Sequence, residues 1–433
     1  MMIKTNRKIL TRFLILCVGF GLVGHMCSQD LFANPPPPNG FDMETQKRIQ
    51  SGLNVFDLSL FRAIVDAQTH PQTSETTQNT IISPFSVHMA LSLLLNGAGG
   101  NTFLQMSQAM QIPGSISLQQ FNLSQFYYLQ LLGQNTPGVT LKISNALWMD
   151  QKFLILQNFT ASLSDFYSAH VGLGDFKNAT ESVVTDIHTW VRSATHDLIQ
   201  NIVTPEMVSN MVMMLLNATY LKGTWRSKFD LKETQPRDFQ ISSSSAPIQI
   251  PTMHLKRALP YGEYQDAQIV ALPFVGDEIR VYVILPPSPT GTKLRAGEWF
   301  RSHLSLVQDW NNIEQRITEG NQVNLFLPKI KLDRTVQLPK YLRSMGLGHL
   351  FDRPNFQNIS AQPELTLSGM RQNVSFTMDE TGAEAAAVTQ IGFSKTSDLM
   401  PKTVMMNVNR PFIVAVRDMR MGAFLILAVI EHP

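Results

Sequence analysis

The stretch that decides the fold is residues 374–412, which read VSFTMDETGAEAAAVTQIGFSKTSDLMPKTVMMNVNRPF. Its start, 374–378, alternates apolar with hydroxyl side chains, as a half-buried β-strand does. Gly382 then offers a pivot, because a residue without a Cβ is little restricted in its backbone angles. The twelve residues that follow, 383–394, contain no proline and alternate between a small or apolar face and a face with nearly all the polar groups. The segment is therefore compatible with a strand that enters a sheet.

The three consecutive alanines at 385–387 leave the local structure open. Alanine favours helices and is a poor strand former, so a short surface helix or a plain loop fits them as well as a strand does. Small side chains nevertheless have one specific use, because they let a segment slide between strands that are already paired. Each main-chain hydrogen bond formed by such an insertion contributes about 0.5–1.5 kcal/mol.

Together with the blocks around it, this stretch resembles the serpin family. The resemblance runs from about residue 50 to the C-terminus, and the C-terminal signature matches MNVNRPFIVAV at 406–416. Further blocks follow the family order: SPFS (83–86), NALWMDQKF (145–153), NATYLKGTWRSKF (217–229), VYVILPPSPTG (281–291) and FLPKIKLD (326–333). The family's hinge pattern, E-x-G-x-E-A-A-A, falls on a hinge that comprises Glu380, Gly382, Ala383, Glu384, Ala385, Ala386, Ala387 and Thr389.

The resemblance implies an α+β fold with three β-sheets, about nine helices and an exposed reactive-centre loop. It also implies a metastable native state and a suicide-type inhibition of serine proteases. In that reaction the protease cleaves the loop, an acyl-enzyme forms, and the hinge segment enters the central sheet before the acyl-enzyme is hydrolysed. Such a protein is not an enzyme, and it needs no catalytic residue, metal or cofactor. A monomer with a target serine protease as its partner is expected.

Two other functions stay open beside serine protease inhibition. One is a non-inhibitory serpin with a chaperone or carrier role, and the other is an inhibitor of cysteine proteases. Non-inhibitory members often carry charged residues, bulky residues or proline in the hinge, whereas this hinge has Ala383, three further alanines and Thr389. The hinge therefore favours the inhibitory function.

The family spacing places the reactive bond at Thr396–Ser397. The hinge glycine normally lies fifteen positions before the cut on the amino side, and Gly382 plus fourteen is Thr396. A small β-branched residue suits an elastase-like pocket. The alternative is Lys395–Thr396, which suits a trypsin-like enzyme with an acidic pocket floor. The aromatic and methionine side chains of the same segment also leave chymotrypsin-like enzymes open.

The resemblance also indicates where the central strands separate. Ser83 and Ser86 open a helix there, and Ser83 is expected to cap it with its hydroxyl group, just before a proline. Trp225 matches a tryptophan near the point where the loop meets the sheet. The family commonly has asparagine on a helix and histidine on a strand, and the alignment puts His188 and Gln372 at these places. We expect the two side chains to share a hydrogen bond with exchanged roles.

Composition and motifs exclude several other function classes. Charged residues make up 16% of the 433 residues and hydrophobic ones 44%, which is ample for a large core and unlike a disordered chain. The 35 basic and 33 acidic residues give no bias toward nucleic acid. GxSxG, HExxH and Walker motifs are absent, and the histidines lack metal-ligand spacing. The stretch 119–132 has no basic residue, so a glycosaminoglycan partner is not expected.

The N-terminal 33 residues have the pattern of a signal peptide or an N-terminal anchor. Four basic residues precede an apolar run at 13–23, and this run is short for a membrane span. Both cysteines lie in this leader, so the rest of the chain has no disulfide. Residues 34–49, with four consecutive prolines, predict a linker, and residues 50–433 the serpin domain. A secreted or extracytoplasmic location is therefore expected.

The hydrophobic patterns of the remaining chain place helices early and strands late. Leu53, Phe56, Leu60 and Ile64 have the spacing of an amphipathic helix. Further helices are expected at 181–193 and 339–345. Strands are expected at 212–220, 279–285, 323–327, 374–378, 404–416 and 423–430. This order favours an α+β protein over alternating βαβ units.

Overall fold

The computed structural model describes residues 37–68, 78–134, 138–195, 197, 201–241, 246–288, 296–362, 365–380 and 403–433. Within these ranges no helix has the length and apolar character needed to cross a membrane. A short 3₁₀ turn (Leu231–Glu233) and a π-helical turn (Arg343–Leu347) accompany the α-helices. The α-helices are α1 (Met43–Gln68), α2 (Pro84–Leu95), α3 (Gly100–Ala109), α4 (Leu118–Gly133), α5 (Gln157–Tyr167), α6 (Thr180–Ala194), α7 (Pro205–Val208), α8 (Ala296–His303), α9 (Val307–Arg316), α10 (Pro339–Leu342) and α11 (His349–Asp352).

The strands of the described residues form two hydrogen-bonded sheets, one of five strands and one of nine. The five-stranded sheet has the order β10-β11-β4-β2-β3, and the nine-stranded sheet has the order β1-β14-β13-β8-β7-β6-β9-β12, with β5 paired to β6. The strands are β1 (Thr80–Ile82), β2 (Val139–Asp150), β3 (His170–Gly174), β4 (Met213–Gly223), β5 (Gln235–Phe239), β6 (Ile248–Tyr264), β7 (Ala267–Pro273), β8 (Ile279–Leu285), β9 (Thr318–Pro328), β10 (Ile330–Gln337), β11 (Gly369–Met378), β12 (Thr403–Asn407), β13 (Phe412–Asp418) and β14 (Ala423–Ile430).

The long strand β6 explains why two sheets are seen where three were predicted. It spans 17 residues, and its register on β9 shifts between Leu259 and Tyr261. Before this irregularity β6 pairs with β9, and from Tyr261 onward it also pairs with β7. The two smaller sheets of the prediction are thus joined through one strand. The α+β prediction itself is confirmed.

The helix α2 occupies the centre of the core. All of its residues are buried, and it contacts β2 and β4 of one sheet as well as β14 of the other. Its apolar character on nearly every side is what a helix enclosed between two sheets requires. On the other face of the five-stranded sheet, α6 packs through Val183, Ile187 and Val191 against Trp148 of β2 and Leu216 of β4. The sheet is therefore covered by α2 on one face and by α6 on the other.

Two boundaries differ from the sequence predictions. The linker prediction for 34–49 is wrong at its end, because α1 begins at Met43 and both Gln46 and Ile49 are buried. The four predicted positions of that helix, from Leu53 to Ile64, are all buried as expected. The single strand predicted at 404–416 is two strands, β12 and β13. A proline at 411 interrupts them, since it has no N–H to donate to a ladder.

Candidate functional site

The two central strands of the five-stranded sheet, β4 and β11, run parallel to each other, and we call this pair the seam. Their register runs from Gly369 opposite Met214 to Phe376 opposite Leu221. On the outer sides, β10 pairs with β11 and β2 pairs with β4, both antiparallel. The seam is thus a parallel contact with an antiparallel pair on each side, whereas the other parallel contact, between β2 and β3, lies at the edge of the sheet. Parallel pairing is slightly less stable per residue than antiparallel pairing.

The chain leaves the seam at the end where both β4 and β11 finish, and we call this the upper end of the seam. After Met378 at the end of β11, the chain continues through Asp379 and Glu380, beyond which lie residues 381–402. A segment that turned back from Glu380 would run antiparallel to both β4 and β11. It could therefore replace one parallel ladder by two antiparallel ladders. This is the chemistry that the arrangement offers: main-chain hydrogen bonding by an added strand.

A buried group of polar side chains crosses the middle of the seam on the side of α2. Gln372 of β11 donates from Nε2 to Oδ1 of Asn217 on β4 at 2.9 Å and to the carbonyl oxygen of Ser83 at 2.8 Å. Its Oε1 accepts the backbone N–H of Ser83 at 2.9 Å. Asn217 Nδ2 donates to Asn145 Oδ1 of β2 at 2.7 Å and to the hydroxyl and carbonyl oxygens of Ser86. Two strands of the seam, β2 and the start of α2 are therefore tied together.

The hydrogen bond predicted between His188 and Gln372 is wrong. His188 lies on α6 and donates from Nε2 to the carbonyl oxygen of Val203 at 3.1 Å. Successive residues of a strand face opposite sides of the sheet, so Leu216 faces α6 whereas Asn217 faces α2. Gln372 is on the α2 side as well, and the sheet lies between it and His188.

The predicted hydroxyl cap at Ser83 is also wrong, although the residue does begin the helix. Ser83 is the N-cap of α2, but its side chain makes no capping hydrogen bond. Its Oγ is buried without a hydrogen-bond partner among the described residues, and its backbone groups bind Gln372 instead. Ser83 thus takes part in the polar group through its main chain, whereas Ser86 does so through its hydroxyl and carbonyl oxygens.

Trp225 lies at the upper end of the seam. Its indole Nε1 donates to the carbonyl oxygen of Asp379 at 2.7 Å, and its ring lies 4.8 Å from that of Phe274. The ring is almost completely buried. Trp225 therefore holds the chain immediately before residue 381, at the end of the seam where β11 finishes.

Glu380, the first residue of the predicted hinge, is held in place by several contacts. Lys329 Nζ donates to its Oε2 at 2.7 Å, and the Thr234 hydroxyl donates to its Oε1 at 2.7 Å. The backbone N–H of Phe229 donates to its carbonyl oxygen at 3.2 Å. Burial raises the pKa of Glu380, but the hydrogen bonds from Lys329 and Thr234 outweigh burial and hold that pKa below its ordinary value.

Four residues of this site were missed from the sequence: Asn145, Asn217, Thr234 and Lys329. Asn217 had a signal, because it is an amide within the largely apolar run 213–221, and Asn145 is its register partner on β2. Lys329 had none, since it precedes Glu380 by 51 positions and reaches it only through the path of β10 and β11. Sequence spacing cannot reveal a contact that the sheet topology creates.

The remaining predicted site residues lie outside the described residues. They are Gly382, Ala383, Glu384, Ala385, Ala386, Ala387 and Thr389 of the hinge, and Lys395, Thr396 and Ser397 around the reactive bond. Among the residues that are described, no group of three or more His, Cys, Asp or Glu side chains is placed to hold a metal ion.

Similarity to known proteins is extensive. A sequence model of the family described as serpin (serine protease inhibitor) matches residues 51–433. The leukocyte elastase inhibitor of Equus caballus is 29% identical over 387 residues, which cover 87% of this chain and 97% of that protein.

Solved structures agree with this match at the level of the fold. Native protease nexin-1 with heparin superposes with a TM-score of 0.76 at 22% identity, over 90% of this chain and all of that chain. Uncleaved ovalbumin superposes with a TM-score of 0.76 at 18% identity, over 89% of this chain and all of that chain. At these identities the two structures show the fold alone.

Proposed function

Because this chain belongs to the serpin family, we propose that it inhibits serine proteases by a suicide mechanism in which its cleaved loop enters the seam. The observation that carries the proposal is the parallel pairing of β4 and β11, with the chain leaving β11 through Glu380 at the same end. If β4 and β11 separate, one antiparallel strand placed between them can form hydrogen bonds with both. The small residues of 383–394 suit that strand.

The proposed reaction needs no catalytic group on this chain. The protease's serine oxygen attacks the carbonyl carbon of Thr396, and the bond to the Ser397 nitrogen breaks after that nitrogen has taken a proton from the protease. The product is an ester between Thr396 and the protease, together with a new amino terminus at Ser397. Insertion of the segment before Thr396 then carries the bound protease along the sheet before water can cleave the ester.

The reactive bond assigned here is Thr396–Ser397, with Lys395–Thr396 as the alternative. The similarity to a protein named leukocyte elastase inhibitor supports an elastase-like target, which the small side chain of Thr396 also suits. A trypsin-like target would point to Lys395. We further propose that the protein is secreted or extracytoplasmic, since residues 1–33 have the pattern of a signal peptide. It is expected to act as a monomer.

The test is incubation with a panel of elastase-like, trypsin-like, chymotrypsin-like and cysteine proteases, followed by denaturing gels and mass spectrometry. We expect a covalent complex with an elastase-like enzyme and a released peptide that begins at Ser397. A peptide that begins at Thr396 would move the bond to Lys395. Cleavage by every protease without a covalent complex would contradict the inhibitory function.

Two variants sharpen this test. Ala383→Arg should turn the inhibitor into a substrate, because its side chain would enter the core face and an unpaired charge is very costly there. Glu384→Arg is the matched control, since residue 384 falls on the opposite face of the segment and its complex should persist. Equal complex formation by both variants would argue against strand insertion.

A non-inhibitory role is the second candidate, since ovalbumin has the same fold. A chaperone or carrier would not need the sheet to accept a strand. Cleavage of the loop would then leave the melting temperature unchanged, and this outcome distinguishes the two functions. No glycosaminoglycan partner is proposed, because α4 contains no basic residue.

A further inference from the structure

The short connector at 201–204, which follows α6 and precedes α7, lies over the seam on the face opposite to Gln372. Ile202 and Val203 are buried in the same apolar cluster as Ile187 of α6 and Leu216 of β4. In the described residues, the apolar side chains of that cluster come from β2, β4, α6 and the chain that links them. On this face β11 presents Gly369, Arg371, Asn373 and Ser375, so its contact with the connector is polar. By its packing, the connector therefore belongs to the β4 side of the seam.

Two side chains bind the carbonyl groups of the connector from different sides. His188 of α6 donates from Nε2 to the carbonyl oxygen of Val203 at 3.1 Å. Arg371 of β11 donates from Nη1 to the carbonyl oxygen of Ile202 at 2.9 Å. Arg371 stands opposite Leu216 in the seam, so it is on the α6 face. The connector is thus tied to α6 by His188 and to the far strand of the seam by Arg371.

The hydrogen bond between Arg371 and the connector has a consequence for strand insertion. Neighbouring strands lie about 4.8 Å apart, so a strand placed between β4 and β11 moves them to about twice that spacing. The carbonyl oxygen of Ile202 is held on the β4 side and the guanidinium group of Arg371 is carried by β11. A hydrogen bond of 2.9 Å cannot persist across that added distance unless the connector leaves the cluster around Ile187 and Leu216.

We propose that Arg371 is a positioning residue that keeps the seam closed, and that strand insertion must first break its bond to the connector. The proposal rests on the proposed function, and it identifies a residue of this chain that slows strand insertion. It also gives His188 a role other than the expected pairing with Gln372, because His188 fixes the connector that Arg371 holds. Arg371 slows insertion in the uncut protein and contributes nothing once the strand is in place.

The test uses the full chain and a synthetic peptide with the sequence of residues 383–394, AEAAAVTQIGFS. The rate at which the intact protein takes up the peptide is measured by native gels and mass spectrometry. Arg371→Met keeps most of the apolar stem and removes the guanidinium group, and we expect uptake about 10-fold faster than in the wild type. Arg334→Met, on the neighbouring strand β10, is the matched control and should leave the rate unchanged.

A second readout separates positioning from ordinary stabilisation. Arg371→Met should lower the melting temperature of the intact protein and leave that of the loop-cleaved protein unchanged. Equal losses in both forms, or a wild-type rate of uptake, would overturn the proposal. His188→Leu provides an independent variant that keeps Arg371 and frees the connector to follow β11, so it too should speed uptake.

Failure of the proposed function has a different signature. A wild-type protein that neither takes up the peptide nor gains stability on loop cleavage would overturn strand insertion and the role of Arg371 together. Normal behaviour of the wild type combined with an unaltered Arg371→Met would overturn only the role of Arg371.

Discussion

At the scale of single residues, Asn217 concentrates the polar contacts of the seam in one amide group. It binds Ser86, Asn145 and Gln372, and it is almost completely buried. Removing it leaves the amides of its partners partly unpaired in the core, where each lost partner costs about 1–3 kcal/mol. Asn217 therefore sets how tightly the two strands are held from the α2 side.

We expect Asn217→Ala to lower the free energy of unfolding of the intact protein by about 3 kcal/mol. Urea denaturation measures this, with Asn373→Ala as the control. Asn373 lies next to Gln372, but its side chain binds Asp333 and Thr335 of the outer strand β10. A loss from Asn217→Ala no larger than that from the control would contradict the role given to Asn217.

Glu380 gives the upper end of the seam a dependence on pH. Its pKa lies below the ordinary value of 4.5 in the folded protein, so folding favours the ionised carboxylate. The stabilisation is therefore complete above about pH 5 and is lost as the pH falls through the lowered pKa.

Glu380→Gln should cost about 1 kcal/mol of unfolding free energy at pH 7, a modest value because the Lys329 side chain is 38% exposed. The difference from the wild type should begin to shrink below about pH 5 and should disappear as the pH falls through the lowered pKa of Glu380. Glu319→Gln is the control, since its carboxylate is 62% exposed and its nearest arginine nitrogen is 3.8 Å away. A difference that stayed constant with pH would show that the carboxylate charge is not what stabilises this end.

The resemblance to the serpin family was enough to single out Ser83, Ser86, Gln372 and Glu380 from the sequence. It could not pair them correctly. The partner expected for Gln372 was on α6, whereas the actual partners come from α2 and β4. Which face of a central strand a polar residue occupies depends on the layers above and below the sheet, and a single strand pattern does not contain that information.

At the scale of elements, the contact between α1 and α2 contains a fully buried polar pair. His88 Nδ1 and Asp57 Oδ1 are 2.9 Å apart, and neither side chain is exposed. The other oxygen of Asp57 and Nε2 of His88 have no hydrogen-bond partner among the described residues. Burial raises the pKa of Asp57, which the nearby His88 partly offsets. Among the described residues, each of these two side chains is thus the only hydrogen-bond partner of the other.

Asp57→Ala and His88→Ala should each cost about 3 kcal/mol of unfolding free energy, because each leaves its partner buried and unpaired. The double variant should lose at least about 1 kcal/mol less than the sum of the single losses. A double-mutant cycle by chemical denaturation measures this coupling. Strict additivity would mean that the two groups do not stabilise each other.

Elements with a strong period were predictable, and interruptions were not. Four apolar positions from Leu53 to Ile64 were enough to place α1, and the strands at 279–285 and 423–430 agree with β8 and β14 to the residue. The start of α1 was missed because its first turns carry polar residues such as Gln46, which a hydrophobic pattern does not register. Gln46 is buried against α4, where its Oε1 accepts a hydrogen bond from the Ser124 hydroxyl group.

At the scale of the whole molecule, loop cleavage should stabilise the protein. Insertion of the segment 383–394 would add main-chain hydrogen bonds on both of its edges, and each contributes about 0.5–1.5 kcal/mol. For a chain of this size we expect the melting temperature to rise by about 10 °C or more after a single cut within 395–400. Calorimetry of the intact and cut forms checks this, and an unchanged or lower midpoint would favour the non-inhibitory function.

The whole fold was predictable because many blocks of one family occur in order along the chain. The number of separate sheets was not, since β6 joins two of them by a bend of one strand. The register shift falls at Pro260, next to Gly262, and these two residues indicate an interruption of the strand. They do not indicate whether the two sheets stay joined there.

The pairing of β1 with β14 has a consequence for how the chain is made. Thr80 of β1 pairs with Val429 of β14, and β14 lies between β1 and β13 in the larger sheet. A ribosome adds about 5–20 residues per second, so β1 waits tens of seconds for its partner to emerge. During that time the nascent chain exposes unpaired strand edges, which are prone to aggregate. Folding of this sheet is therefore completed only after residue 430 has left the ribosome, and we expect nascent-chain chaperones to determine the yield.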